Sequence, residues 1–282
     1  MKPQAAYLPG GRLHLHHGPI DLVIGAEGPV RGAALRAAEA RFATVLDELV
    51  GELPLLRSPA RPDLKPEGAV AQRMHRAVLP FLPAFITPMA AVAGAVADEI
   101  LAAMAACGGL DTAYVNNGGD VALHVAPGRQ LRAAIADGLG DRAVIRHGDP
   151  VRGVATSGRG GRSFSLGIAD SVTALARDAA AADAAATMIA NAVDLPDHPG
   201  VRRAPAQSLS PDSDLGARLV TLAVGALTPE ETARALDAGA AFARQCRARG
   251  LIAAALLTLN GQRRLEGAPG LIPDQTKEPS HA

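Results

Sequence analysis

A carboxylate and a hydroxyl stand four residues apart in the run Ala182-Asp183-Ala184-Ala185-Ala186-Thr187. Residues at i and i+4 share one face of a helix, so Asp183 and Thr187 aim two oxygens at one point. Hard oxygen donors of this kind suit a hard divalent cation such as Mg²⁺. Upstream lies a glycine-rich turn, Thr156-Ser157-Gly158-Arg159-Gly160-Gly161-Arg162, set between apolar segments. Its amides and the guanidinium groups of Arg159 and Arg162 suit an anion, and an arginine-bearing hairpin tip explains them nearly as well. The turn lacks the Lys-Ser/Thr ending of a P-loop and is not a dinucleotide fingerprint. A third polar turn, Asn116-Asn117-Gly118-Gly119-Asp120, joins two strand-like runs. Its double glycine makes a plain hairpin, yet Asn116, Asn117 and Asp120 crowd exposed amides in a way that serves a polar ligand or phosphate.

Other reactive residue types carry less. His14 and His16 share a strand face, with His17 opposite; without a third ligand nearby in sequence, a polar strand face is the stronger reading over a metal pair. Asp212 and Asp214 sit in a turn too short in ligands for a calcium loop. Cys107 and Cys246 have neither metal nor redox spacing, which fits structural roles in a reducing compartment.

These residues need elements to position them. Leu35, Ala38, Phe42, Val45, Leu46 and Leu49 recur at helical spacing and predict a helix over 29–50, after a hairpin over 11–26. Prolines at 54, 59, 62 and 66 mark a connection. Thr87-Pro88 reads as a hydroxyl cap followed by proline at the first helical position, opening a helix to about Ala106. The small residues at its start, among them Ala91, Val92 and Gly94, admit either a close ligand or tight packing. Strands are expected over 112–117, 120–125, 131–136, 143–146 and 151–156, a loop over 194–214, and a strand over 218–227. Thr228-Pro229-Glu230-Glu231 is a capping box that opens a helix ending at Gly250, followed by an apolar strand over 251–259.

The bulk numbers bound the class. The chain has 282 residues, 48% hydrophobic, with 28 basic and 28 acidic side chains. A zero net charge argues against a nucleic-acid binder, and 2% aromatic content argues against base stacking. The run from Ile86 to Ala106 contains Pro88 and the pair Asp98-Glu99, which makes it a poor membrane span. The N-terminus shows no apolar core of signal-peptide length. The expectation is a soluble, cytoplasmic protein with one domain over 1–268 and a frayed tail over 269–282; the oligomeric state stays open, a homodimer included.

Three motifs now stand in a fixed order: Phe85-Ile-Thr-Pro-Met-Ala-Ala-Val-Ala-Gly-Ala-Val-Ala-Asp98, then Val115-Asn-Asn-Gly-Gly-Asp120, then Ala155-Thr-Ser-Gly158 leading to Ala182-Asp-Ala-Ala-Ala-Thr187. In this order they resemble the ApbE superfamily, the FAD:protein FMN transferases, and within it an uncharacterised ApbE-like subgroup. The resemblance covers most of residues 12–262. It implies an α+β, two-layer fold with mixed or antiparallel sheets flanked by helices, FAD between the layers, and Mg²⁺ on the pyrophosphate. It implies a metal held by Asp183, Thr187 and a main-chain carbonyl near Val92. Nucleotide contacts are implied at Asn116, Asn117, Gly118, Gly119, Asp120, Thr156, Ser157 and Gly158, with Arg159, Arg162, Ala91 and Gly94 beside them. Asp183 and Asp170 are the catalytic candidates.

Two departures stand out. The transferases carry a Lys-Gly pair where this chain has Ala93-Gly94. They also carry a His-x-x-Asp-Pro-x-Thr-Gly loop where this chain has Ser163-Phe-Ser-Leu-Gly-Ile-Ala-Asp170. The expected activity is Mg²⁺-dependent handling of FAD, by FMN transfer to an acceptor protein or by pyrophosphate cleavage. The alternative is a non-catalytic binder or biosynthetic protein for a flavin, a pterin or another heterocyclic cofactor.

Overall fold

Nine strands assemble into one antiparallel sheet, and the long helices cover one of its faces. The computed structural model describes residues 2–135, 141–161 and 163–267. The expected arginine contact at Arg162 and the tail over 269–282 lie outside the described residues. In sheet order the strands are β1 (Gln4–Leu8), β2 (Arg12–His17), β3 (Ile20–Glu27), β4 (Thr112–Asn117), β5 (Asp120–Val125), β8 (Gly153–Ser157), β9 (Ser171–Ala176), β12 (Ala254–Leu259) and β13 (Gln262–Gly267). The inserted pair β6 (Gln130–Ala134) and β7 (Arg142–Arg146) forms a separate two-stranded sheet. All the pairings are antiparallel, which settles the mixed-or-antiparallel expectation.

The helical layer packs on one face. Helix α1 (Arg31–Gly51) crosses β2 and β3, and α4 (Val92–Ala105) lies on β4 and β5. Helix α5 (Ala179–Ala192) lies on β8 and β9, and α7 (Pro229–Ala248) on β12 and β13. Leu13, Leu15, Leu22, Ile24, Phe42, Val45, Ile100, Val115, Val172 and Leu257 are all buried in the core between the layers. On the far face a smaller cluster of Leu123, Val125, Ala143, Ile145, Val154 and Leu256 seats the β6–β7 pair. The shorter helices are α2 (Leu53–Leu56), α3 (Ala69–Val78) and α6 (Ala206–Leu209).

The segment Pro88–Ala105 is long and apolar enough by composition to cross a membrane, with mean hydropathy 1.4. Here it packs against α1, α3, α5 and the sheet, as the core helix of a globular domain does.

Several expectations change. Thr87 does not cap the helix: Pro88–Ala91 forms a 3₁₀ turn, and the Thr87 hydroxyl donates to Asp214. The turn around Asp214 is therefore anchored rather than merely solvated. The stretch 194–214 is not all loop, because Val201–Pro205 pairs as β10 with β11 (Leu219–Val224) and α6 follows it. Strand β1, helix α3 and strand β13 are additions. Helix α3 was legible: Val70, Ala71, Met74, Ala77 and Val78 recur at helical spacing and are buried.

Candidate functional site

Helices α4 and α5 cross at their first turns, and each supplies a carboxylate to the other's N-terminus. Asp98 of α4 accepts hydrogen bonds from the amides of Ala179 (3.0 Å) and Ala180 (2.8 Å). Asp183 of α5 accepts through Oδ2 from the amide of Gly94 at 3.0 Å. Asp178 completes the cap of α5 by accepting from the amide of Ala181 at 2.7 Å. Orphan amides at helix starts need such partners, and the helix dipole favours anionic ones. The crossing is close because α4 has no side chain at Gly94: a Cβ there would stand 2.2 Å from the Ala179 carbonyl oxygen. Gly153 on β8 does the same from the other side, with a virtual Cβ 2.1 Å from Asp178 backbone atoms. Small residues at the start of α4 thus serve packing, and that packing delivers Asp183.

The sheet brings the remaining groups. Asn117 at the end of β4 donates through Nδ2 to the Ala93 carbonyl at 3.1 Å. Asp120 at the start of β5 accepts from the Thr156 amide of β8 at 3.2 Å. The Thr187 hydroxyl donates weakly to Ser157 Oγ at 3.5 Å, and the Thr156 and Thr173 hydroxyls meet at 2.7 Å. Asp183, Thr187, Asn117, Asp120, Thr156, Ser157 and Gly94 are therefore linked in one neighbourhood where α4 and α5 meet β4, β5 and β8. Val92 opens α4 there, and Ala91 is fully buried beside it.

The family described as AbpE bacteria matches residues 5–265. This chain belongs to that family. A UPF0280 protein of Methanopyrus kandleri is 35% identical over 178 residues, spanning 61% of this chain and 69% of the relative. A UPF0280 protein of Methanothrix thermoacetophila is 38% identical over 160 residues, spanning 53% of this chain and 64% of the relative. Among solved structures, the Pseudomonas stutzeri flavinyl transferase ApbE in its apo form superposes with TM-score 0.45 at 12% identity, covering 95% of this chain and 94% of that one. The ApbE protein of Thermotoga maritima gives TM-score 0.48 at 13% identity, covering 94% and 97%.

In this ApbE-like chain the electrostatics of the neighbourhood are lopsided. Burial pushes the Asp183 carboxyl well above the usual carboxylate range, and the charge of Asp120 adds to it; the amides of Gly94 and Ala93 oppose the rise. Asp98 is pushed up to about 6 by burial, against the pull of its two amides. The charges that bear most on Asp183 are those of Asp120 and Asp98, both negative. A cation is the species that offsets such a grouping, because an opposite charge nearby favours the ionised form. Among the described residues no three His, Cys, Asp or Glu form a ready metal cluster. A cation held here would have to draw on hydroxyl and main-chain oxygens as well, a donor set of the kind that suits Mg²⁺.

The other predicted residues are placed as follows. Asn116 accepts from the Gly119 amide at 2.8 Å, so it closes its own turn. Gly118 and Gly119 take φ of +66° and +115°, which that turn requires. Gly158 takes φ of +140° and passes under Asp170, whose carbonyl oxygen would stand 2.7 Å from a Cβ. Arg159 pairs with Asp170, and the second Asp170 oxygen accepts from the Asn260 amide at 2.6 Å. The recorded bonds of Arg159 and Asp170 therefore fasten the glycine-rich turn to the β12–β13 turn, and none of them joins the Asp183 cluster.

Sequence reasoning missed Asp98 as a helix cap and Thr173 as the partner of Thr156. The signal for Asp98 was its place four residues after Gly94, one turn along the same face. A concavity of about 680 Å³ lined by Gln4, Ala5, Ala6, His14, His16 and Asp21 lies away from this cluster, on β1–β3. There His14 and His16 flank Asp21 at 3.1 and 3.5 Å, in keeping with a polar strand face.

Proposed function

We propose that this protein binds a flavin dinucleotide with a divalent cation at the crossing of α4 and α5, and that it acts on the pyrophosphate. Asp183 is the observation that carries the reading. It is a carboxylate held at a helix start, with its proton affinity raised by burial and by Asp120, and with the Thr187 hydroxyl on the same helix face. Asp183, Thr187 and the main-chain carbonyl near Val92 would hold Mg²⁺, which would neutralise charge on the pyrophosphate. Asn117 fixes the Ala93 carbonyl and so the path of the chain beside Val92. Asp120 sets the spacing of β5 and β8 through the Thr156 amide. The hydroxyl-lined turn Thr156-Ser157-Gly158 then faces the nucleotide.

In the reaction, a hydroxyl oxygen bonds to the FMN phosphorus as the phosphorus–oxygen bond to AMP breaks, and the hydroxyl proton passes to solvent. A protein hydroxyl as attacker yields an FMN ester of the acceptor and AMP; water yields FMN and AMP. Asp170 holds the glycine-rich turn through Arg159, which makes it a positioning group for the Ser157–Gly158 backbone.

A second reading, a binder or carrier of a flavin or pterin, is favoured by two features of the sequence. Ala93 stands where the transferases have lysine, and the 163–170 loop has no histidine. One experiment separates the readings. The purified protein is scanned for a flavin absorbance band, then incubated with FAD and Mg²⁺ while AMP and FMN are followed by chromatography. Release lost in Asp183→Ala supports the enzyme; bound flavin without release supports the binder; neither bound flavin nor release removes both flavin readings.

A further inference from the structure

The two edges of the nine-stranded sheet are built differently. Edge strand β13 carries Arg263, Arg264 and Glu266, and α7 ties it down. Arg264 Nε meets Asp237 Oδ1 at 2.8 Å, and Arg244 meets Glu266 at 2.5 Å. Charged edges of this kind resist pairing with other chains. Edge strand β1, Gln4-Ala5-Ala6-Tyr7-Leu8, has no charge and no proline. Its register to β2 runs without a bulge from Gln4↔His16 to Leu8↔Arg12. Its first four residues are exposed, with Tyr7 at 67%. One side of its backbone is paired with β2, and the other presents N–H and C=O groups to the outside. Pro3 and Pro9 bracket it and limit pairing to the strand itself.

We infer that β1 is a self-association edge, pairing antiparallel with β1 of a second copy about a two-fold axis at Ala6. Charge chooses the occupant. In this register Ala6 faces Ala6, Ala5 faces Tyr7, and Gln4 faces Leu8, so the two backbones meet closely at the alanine on the axis, Tyr7 lies over a small residue, and no charge meets another. Pairing β1 with β13 of another copy would set a neutral strand against a charged one already fastened to α7. It would also be head-to-tail and open-ended, whereas the two-fold pairing closes. Five paired residues bury less than the roughly 800 Å² per partner of a standard interface, so the association is concentration-dependent.

Sedimentation analysis of the full chain over a wide concentration range tests this. Wild type is expected to shift from monomer toward dimer as concentration rises. Ala6→Lys and Ala6→Glu each place two like charges opposite one another, so each variant alone is expected to remain monomeric, with an unchanged circular dichroism spectrum. An equimolar mixture of the two is expected to restore the dimer, because Lys then faces Glu. A wild type that stays monomeric overturns the inference, as does a dimer indifferent to both substitutions or a mixture that fails to associate.

Discussion

Asp98 and Asp183 share a task, since each caps the helix that carries the other, and both are buried carboxylates whose proton affinity is raised. The consequence for Asp98 can be signed. Its native value of about 6 lies above the ordinary 3.8, so the native state holds the proton more tightly than the unfolded chain. The stability it contributes is therefore greatest at low pH and is lost as pH rises from about 4 to about 6. Asp98→Asn removes that slope. The wild-type minus variant unfolding free energy is expected to fall by on the order of 3 kcal/mol between pH 4 and pH 7. Urea titrations at both pH values check this, and a constant difference would contradict it. At this scale the sequence was partly legible. The Asp183–Thr187 spacing is visible in any helix, but Asp98 as a cap across two helices depends on a contact between residues 81 apart.

The elements rest on close approach. Helix α5 is rich in alanine, above all over its first two turns, because α4, β8, β9 and α7 press on it from several sides and bulk would push them apart. Gly153→Ala is expected to cost on the order of 3 kcal/mol or to abolish folding, since its methyl would strike the Asp178 backbone. Equilibrium denaturation measures it, and a change under about 0.5 kcal/mol would refute the packing account. At the other end of the layer, Thr228 accepts from the Glu231 amide at 3.2 Å, and the Glu231 carboxylate accepts from the Thr228 amide at 2.9 Å. Thr228→Ala is expected to destabilise by about 1 kcal/mol, read from the same titration. This capping box was legible because all its residues are local. Thr87 was misread by the same local logic, since a tertiary acceptor, Asp214, competes for its hydroxyl. Strand β10 was hidden because Val201-Arg202-Arg203-Ala204-Pro205 has a weak alternation and becomes a strand only against β11.

Across the whole molecule, alternation and turn residues made most of the sheet legible as pieces. The order of the pieces was not, because β5 pairs with β8 across the inserted β6–β7, and β9 pairs with β12 across α5, β10–β11 and α7. The β5–β8 pairing, with α5 packed on α4 and β8, decides that the Asn117–Asp120 turn, the Thr156–Ser157 strand end and the Asp183 helix share one neighbourhood. The edge strand β1 was likewise unread, since five uncharged residues with no alternation signal a strand only beside β2. The proposed divalent ion on a flavin dinucleotide is read out by electron paramagnetic resonance of Mn²⁺ titrated into the protein with FAD. One FAD-dependent bound Mn²⁺ per chain is expected, lost in Asp183→Ala and weakened in Thr187→Val. Mn²⁺ binding that is equal in wild type and Asp183→Ala would contradict it.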